Sequence, residues 1–223
     1  MDGQSALNVI AEEVKSCTKC KLYHSRKLSV PGEGPSNAEI MFIGEGPGFY
    51  ENEQGRPFVG AAGNFLSDLL SRISMKRQDV FIANVVKCRP PANRDPEPDE
   101  LQACDTYLER QIEAINPKII VTLGRFSMAK FLPNVRISDI HGKARWVGNR
   151  LVVAMYHPAA ALHQPALKAT IIHDFEQLPN YILESKKKNT PISPAPVHTP
   201  IPVTPVKEEE KPHNQDATQL KLF

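Results

Sequence analysis

Four short apolar runs constrain this chain most, because each stops abruptly at a polar residue or a glycine. They lie at 39–43, 79–86, 118–123 and 151–156, and the second is apolar from Val80 to Val86 except for Asn84. Runs of this length and continuity predict strands buried on both faces. Between them, apolar residues recur at helical spacing. Leu7, Ile10 and Val14 mark a helix over 5–16, and Phe65, Leu66, Leu69, Leu70 and Ile73 mark another over 62–75. Further helices are predicted over 99–115, 125–131 and 166–184. Residues 21–37 read as loop, and 145–156 as a hairpin turning at Gly148 and Asn149. Strands alternating with helices predict a parallel sheet covered on both faces. Ligands of such sheets bind beyond the carboxyl ends of the strands. Glu45, Asn84, Gly124 and His157 fall at those ends.

The segment after the first run is rich in turn formers. Gly44-Glu45-Gly46-Pro47-Gly48 is followed closely by Gly55-Arg56-Pro57-Phe58-Val59-Gly60, and then by the helix over 62–75. Glycines this dense let backbone N–H groups approach a ligand closely. The carboxylate and the ring inside the two turns suggest chemistry there.

All four cysteines, Cys17, Cys20, Cys88 and Cys104, lie in the first half of the chain. Residues 1–4 lack the basic and apolar regions of a secretory signal, and no apolar run nears the ~20 residues of a membrane span. The expectation is a cytoplasmic protein without membrane contact, where such thiols bind metal more often than they form disulfides. By count and spacing an iron–sulfur cluster, a tetrahedral zinc or unlinked buried thiols all fit. A metal would clip the first helix to the loop after the second strand, a structural role. Formal net charge is +2, and residues 1–184 carry 21 basic and 21 acidic side chains. Contact with nucleic acid would therefore need local basic patches. Candidates are Lys19, Lys21, Arg26 and Lys27; Lys87, Arg89 and Arg94; and Arg145 with Arg150.

Four features together are specific: the cysteine set, G-E-G-P-G at 44–48 with E-N-E-Q-G-R-P-F-V-G-A-A-G after it, N-V-V-K-C-R-P-P at 84–91, and H-P-A-A-A-L at 157–162. In these the chain resembles the iron–sulfur (family 4) uracil-DNA glycosylases over residues 5–184. The resemblance implies a three-layer α/β/α fold with a central four-stranded parallel sheet. It implies a [4Fe–4S] cluster on Cys17, Cys20, Cys88 and Cys104. Its implied activity is base excision, with uracil flipped from single- or double-stranded DNA and cut at the N-glycosidic bond by a monomer. Glu45, Glu51 and His157 are then the catalytic candidates, and Gly46, Phe58, Asn84 and His157 the uracil-binding ones. Phe58 would stack on the base. Asn84 would donate to O4 and accept from N3–H, a pattern cytosine reverses. His157 would donate to O2 as negative charge grows on the leaving base. Either Glu45 or Glu51 would orient water, with Glu45 favoured. Each residue also has an ordinary reading: Phe58 as a core ring, Asn84 as a satisfied turn former, His157 as a capping side chain. A covalently trapping relative carries glutamine where Gly46 stands here, and it supplies the alternative of a non-hydrolytic uracil-DNA binder.

From 185 onward the composition changes. Seven prolines between Pro191 and Pro212, three lysines and the run K-E-E-E-K at 207–211 leave little apolar surface to bury. Residues 185–218 read as a disordered tether. Gln219, Leu220, Leu222 and Phe223 resemble the short peptides that dock on sliding clamps, the second partner expected besides DNA.

Overall fold

In a computed structural model, residues 2–187 are described, and a five-stranded sheet organises them. The chain opens with helix α1 (Gly3–Ser16), whose N-terminus is capped by Asp2: the carboxylate accepts from the Ser5 N–H at 2.9 Å. Strand β1 (Ile40–Gly44) follows, then the short helix α2 (Phe49–Gln54), helix α3 (Ala61–Arg72) and strand β2 (Phe81–Asn84). Helix α4 (Pro98–Ile115) leads to strand β3 (Ile119–Leu123), helix α5 (Arg125–Phe131) and the single turn α6 (Ile137–Ile140). The hairpin β4 (Lys143–Val147) and β5 (Arg150–Met155) comes next, then α7 (Ala160–His163), α8 (Leu167–Glu176) and α9 (Leu178–Lys187).

The strands lie in the order β2-β1-β3-β5-β4. Four are mutually parallel, as expected, with Gly44 opposite Asn84 and Thr122 opposite Ala154. The expectation of four strands needs one correction. The first arm of the hairpin pairs antiparallel with β5 along its whole length, so the sheet is mixed and has five strands. Alternation along the strands sorts two cores. Ile40, Phe42, Ile82, Val121 and Val153 face α3 and α8, where the Phe42 and Phe175 rings lie nearly parallel 6.0 Å apart. Met41, Ile43, Ala83, Ile120 and Val152 face the other way, against Leu7 of α1 and Leu108 and Ile112 of α4. The α/β/α layering is thus the one the apolar runs predict.

Other boundaries differ for local reasons. The helix expected over 166–184 is divided at Gln177, because Pro179 has no N–H and cannot continue a ladder from α8. The second strand is shorter than 79–86. Residues Arg77–Asp79 form a 3₁₀ turn, and the chain leaves the sheet after Asn84. Lys21–His24, expected as loop, forms a 3₁₀ turn, and α2 was not anticipated. The free edge of β2 is closed by Glu33, whose N–H and C=O exchange hydrogen bonds with Ile82 at 2.9 and 2.7 Å. Helix α9 runs three residues past the expected limit at 184. The expected tether from 188 on and the terminal peptide 219–223 lie outside the described residues. Among the described residues no helix is long and apolar enough to cross a membrane.

Candidate active site

Because the chain runs from β1 outward to β2 and then returns to β3 on the other side of β1, the carboxyl ends of these strands open a crevice. A cleft of about 520 Å³ lies there. Glu45, Gly46, Glu51, Phe58, Asn84 and His157 all line it, so six expected residues from four separate segments meet in one place.

The first wall is built by the glycine turns. Gly44 ends β1, and a side chain there would lie 2.5 Å from Asn84 Oδ1 and 2.7 Å from the Phe58 ring. Only hydrogen permits that approach. Glu45 follows, half-buried and with no hydrogen bond to its carboxylate among the described residues; burial pushes its pKa up, and Asp95 adds to this. Glu51, on α2, is used differently. Its Oε1 accepts from the Val59 and Gly60 N–H groups at 2.9 and 3.0 Å, tying the two turns together at the start of α3.

Phe58 is buried and held at φ 51°, in the left-handed region that a bulky residue rarely adopts. Two arrangements hold it there. The Arg77 guanidinium donates to the carbonyls of Phe58 and Pro57 at 2.9 and 2.8 Å. Gly63 lets α3 pass beneath, since a Cβ at that position would sit 1.9 Å from the Phe58 oxygen. Arg77 in turn faces Glu33, which forks onto Arg56 at 2.6 and 3.0 Å.

The second wall comes from later strands. Asn84 is 2 % exposed, and its Oδ1 is buried without a hydrogen-bond partner. An unmatched buried oxygen costs stability unless a ligand supplies the donor. The Asn84 main chain is fixed by Lys87, whose buried ammonium donates to the Asn84 carbonyl at 2.9 Å and to Gln111 Oε1 at 2.7 Å. Gln111 donates onward to the Pro31 carbonyl. Burial depresses the Lys87 pKa to about 8. His157 follows β5, and its Nδ1 accepts from the Ala159 N–H at 3.1 Å. The ring proton must therefore reside on Nε2. Burial holds the His157 pKa down to about 4, with Glu51 opposing, so the ring is neutral near pH 7. Its face lies 5.4 Å from the Phe58 ring, and Gly124 at φ 91° leaves room for it.

Several lining residues were not anticipated, among them Asn93, Asp95 and His163, and Arg94 was expected only as a patch cation. They sit on loops whose course no periodicity reveals. The positions of Arg77 and Lys87 behind the walls were equally hidden. Lys87 was expected at the surface in a basic patch; it is 1 % exposed, because its position after β2 points inward. Most of the other patch cations are also engaged. Lys21 pairs with Glu97, Lys27 with Glu53, and Arg94 forks onto the buried Glu100 at 2.8 and 2.6 Å. Arg26 donates to the Lys15 carbonyl and to Cys88 Sγ.

The four cysteines converge as expected. Cys17 ends α1, Cys20 opens the turn after it, Cys88 follows β2 and Cys104 lies on α4. All four surround one small space of about 10 Å³, walled also by Val14, Lys87 and Tyr107. Three sulfurs already accept hydrogen bonds: Cys88 from Arg26 at 3.2 Å, Cys104 from the Lys87 N–H at 3.3 Å and Cys17 from the Lys19 N–H at 3.5 Å. Burial pushes the free Cys104 thiol up to about 11 and raises Cys20 and Cys88 as well. Donors aimed at buried sulfur suit thiolates bound to a metal group. The donor set therefore fits the expected cofactor.

Comparison with known proteins agrees with this geometry. The family model described as "Uracil DNA glycosylase superfamily" matches residues 31–176. A type-4 uracil-DNA glycosylase of Saccharolobus solfataricus is 51% identical over 183 residues, 77% of this chain and 84% of that one. The type-4 enzyme of Archaeoglobus fulgidus is 46% identical, covering 78% and 92%. That of Thermotoga maritima is 41% identical, covering 80% and 96%. With one cleft that unites the motif residues and a likeness of 41–51% identity to type-4 enzymes over about four fifths of its length, this chain belongs to the uracil-DNA glycosylase superfamily, in its type-4 branch.

Proposed function

We propose that this protein removes uracil from DNA by hydrolysing the N-glycosidic bond, the first step of base excision repair, and that the 520 Å³ cleft receives the extruded base. The unpartnered Asn84 Oδ1 carries this reading, since a buried acceptor without a protein donor at the cleft suits uracil N3–H. The Asn84 amide N–H then serves O4, and Phe58 stacks on the ring. Cytosine places a lone pair at N3 and a donor at C4, so the same amide rejects it. His157 is neutral and carries its proton on Nε2, which makes it a donor to O2 without proton transfer. As the bond breaks, charge accumulates on the departing base, and a donor fixed in advance stabilises that charge more than it stabilises the bound substrate. Glu45 is the carboxylate that orients water and faces the developing positive charge of the sugar. Its carboxylate accepts no hydrogen bond among the described residues, whereas that of Glu51 is engaged by the loop. Gly46 offers backbone to the base at a point where Val86 leaves no space for a side chain.

Cys17, Cys20, Cys88 and Cys104 hold a [4Fe–4S] cluster. A single zinc needs its thiolates about 2.3 Å from one point. The four thiols ring one shared space, three of them accept N–H donors, and type-4 relatives share the chain's likeness, which together support the cluster. When bound, the cluster serves as a covalent crosslink between three segments.

Release of free uracil from a uracil-containing oligonucleotide tests the site. Asn84→Asp and His157→Ala should each slow release by about 10²–10³ while thermal unfolding stays cooperative. Near-normal turnover in both would overturn the assignment. The terminal peptide, Gln219 to Phe223, docks on a sliding clamp in this reading, and the tether raises the enzyme's local concentration at DNA. Deleting 219–223 should abolish clamp pull-down and spare activity on a short oligonucleotide. Undiminished pull-down would refute the role.

A further inference from the structure

Few large apolar side chains are exposed among the described residues, and three of the six flank the cleft. Phe49 and Tyr50, 52 % and 58 % exposed, stand between Gly48 and Glu51; Leu162 stands between Ala160 and His163. The Phe49 and Tyr50 rings meet edge to face with centroids 5.4 Å apart, and both remain more than half exposed. Arg89 lies over Phe49 at 5.4 Å, its Nε held by Asn93 Oδ1 at 2.8 Å. Asn93 itself lines the cleft. Arg89 forms no ion pair with a carboxylate among the described residues, unlike the neighbouring Arg94. Two half-exposed rings and a cation without a carboxylate partner thus continue the cleft outward on one side, among described residues whose other basic side chains are mostly paired.

We infer that Phe49, Tyr50 and Arg89 form a ledge on which an unpaired base beside the extruded uridine stacks, with Arg89 facing the phosphate of that nucleotide. The inference rests on the reading of the cleft as the uracil pocket. Every base offers a π-face, so such stacking tolerates any sequence. It also distinguishes strands. A base inside a duplex already has both faces covered by its neighbours, whereas a base in a single strand gains a partner on the ledge. The guanidinium prefers phosphate because it carries charge and several donors in one plane. The ledge therefore favours uracil in unpaired DNA over uracil in a closed duplex.

The test uses a single-stranded oligonucleotide with an abasic analogue at the uracil position and 2-aminopurine next to it on either side. Fluorescence anisotropy gives affinity, and 2-aminopurine emission reports stacking. A double variant, Phe49→Leu with Tyr50→Leu, keeps apolar volume and removes both rings. It should bind the single strand about tenfold more weakly, lose the quenching on one side of the lesion, and lose less affinity for the matching duplex. Phe49→Leu alone should give a smaller loss of the same kind, and Tyr50→Phe should behave as the unaltered chain. Unchanged affinity and quenching in the double variant would overturn the ledge, as would equal losses on single strand and duplex. Failure of the unaltered protein to release uracil would instead overturn the reading of the pocket.

Discussion

At the scale of single residues, the two carboxylates of the cleft illustrate how similar side chains acquire different work. Glu51 is bound by two backbone N–H groups, while Glu45 has no such bonds and its pKa is raised by burial. Glu45→Gln should therefore lower kcat by about 10² or more with little change in Tm. Glu51→Gln weakens two charge-assisted hydrogen bonds and should lower Tm by several degrees, with the activity loss following the loosened turns. Steady-state kinetics beside thermal unfolding checks this, and the opposite pattern would exchange the roles. The sequence places Glu45 in a glycine-rich turn and Glu51 six residues on, and only the family resemblance favours Glu45 between them. Their difference lies in contacts to Val59 and Gly60, eight and nine residues further on, which depend on the path of the loop. Asn84 was legible for the opposite reason. A carboxamide ending an apolar strand is a local contradiction, and such contradictions mark functional positions.

At the scale of elements, the apolar runs revealed the parallel strands and the faces of α1, α3 and α4, because burial on a periodic element leaves a periodic trace. The arm Lys143–Val147 was only half legible. It is an edge strand with alternating exposure, and its place in the sheet depends on pairing with β5 rather than on its own pattern. The helix pair α1 and α4 carries the cofactor prediction. Cys17 caps the end of the first and Cys20 opens the turn after it, Cys104 lies on the second, and Glu13 and Arg110 form a forked ion pair between the helices. Removing iron with a chelator, or replacing Cys20 with serine, should abolish a broad brown absorption. Amide exchange should then speed up in α1 and residues 17–24 while the strands stay protected. A colourless, zinc-loaded and fully active protein would exclude the cluster.

On the scale of the whole molecule, one buried ring links the fold to pH. His157 has a folded pKa of about 4, below the ~6.5 of the unfolded chain. As pH falls through 6.5 the unfolded state takes up a proton that the folded state refuses, so stability drops until about pH 4 and is unaffected above 6.5. The loss amounts to about 3 kcal/mol. Denaturant unfolding of the wild type and His157→Asn at pH 7 and 4.5 should show a smaller acid loss in the variant; equal losses would refute the assignment. The sheet has a second molecule-wide property, set at its two edges. On one side Glu33 occupies the hydrogen-bonding groups of Ile82 in β2, and on the other β4 presents Lys143 and Arg145. An open strand edge is a template on which another copy can grow. Here Ile82 is already paired on one edge and the other edge is charged, so both are poor templates for pairing between molecules. The strand that bears Asn84 is thereby shielded from growth of one copy onto another.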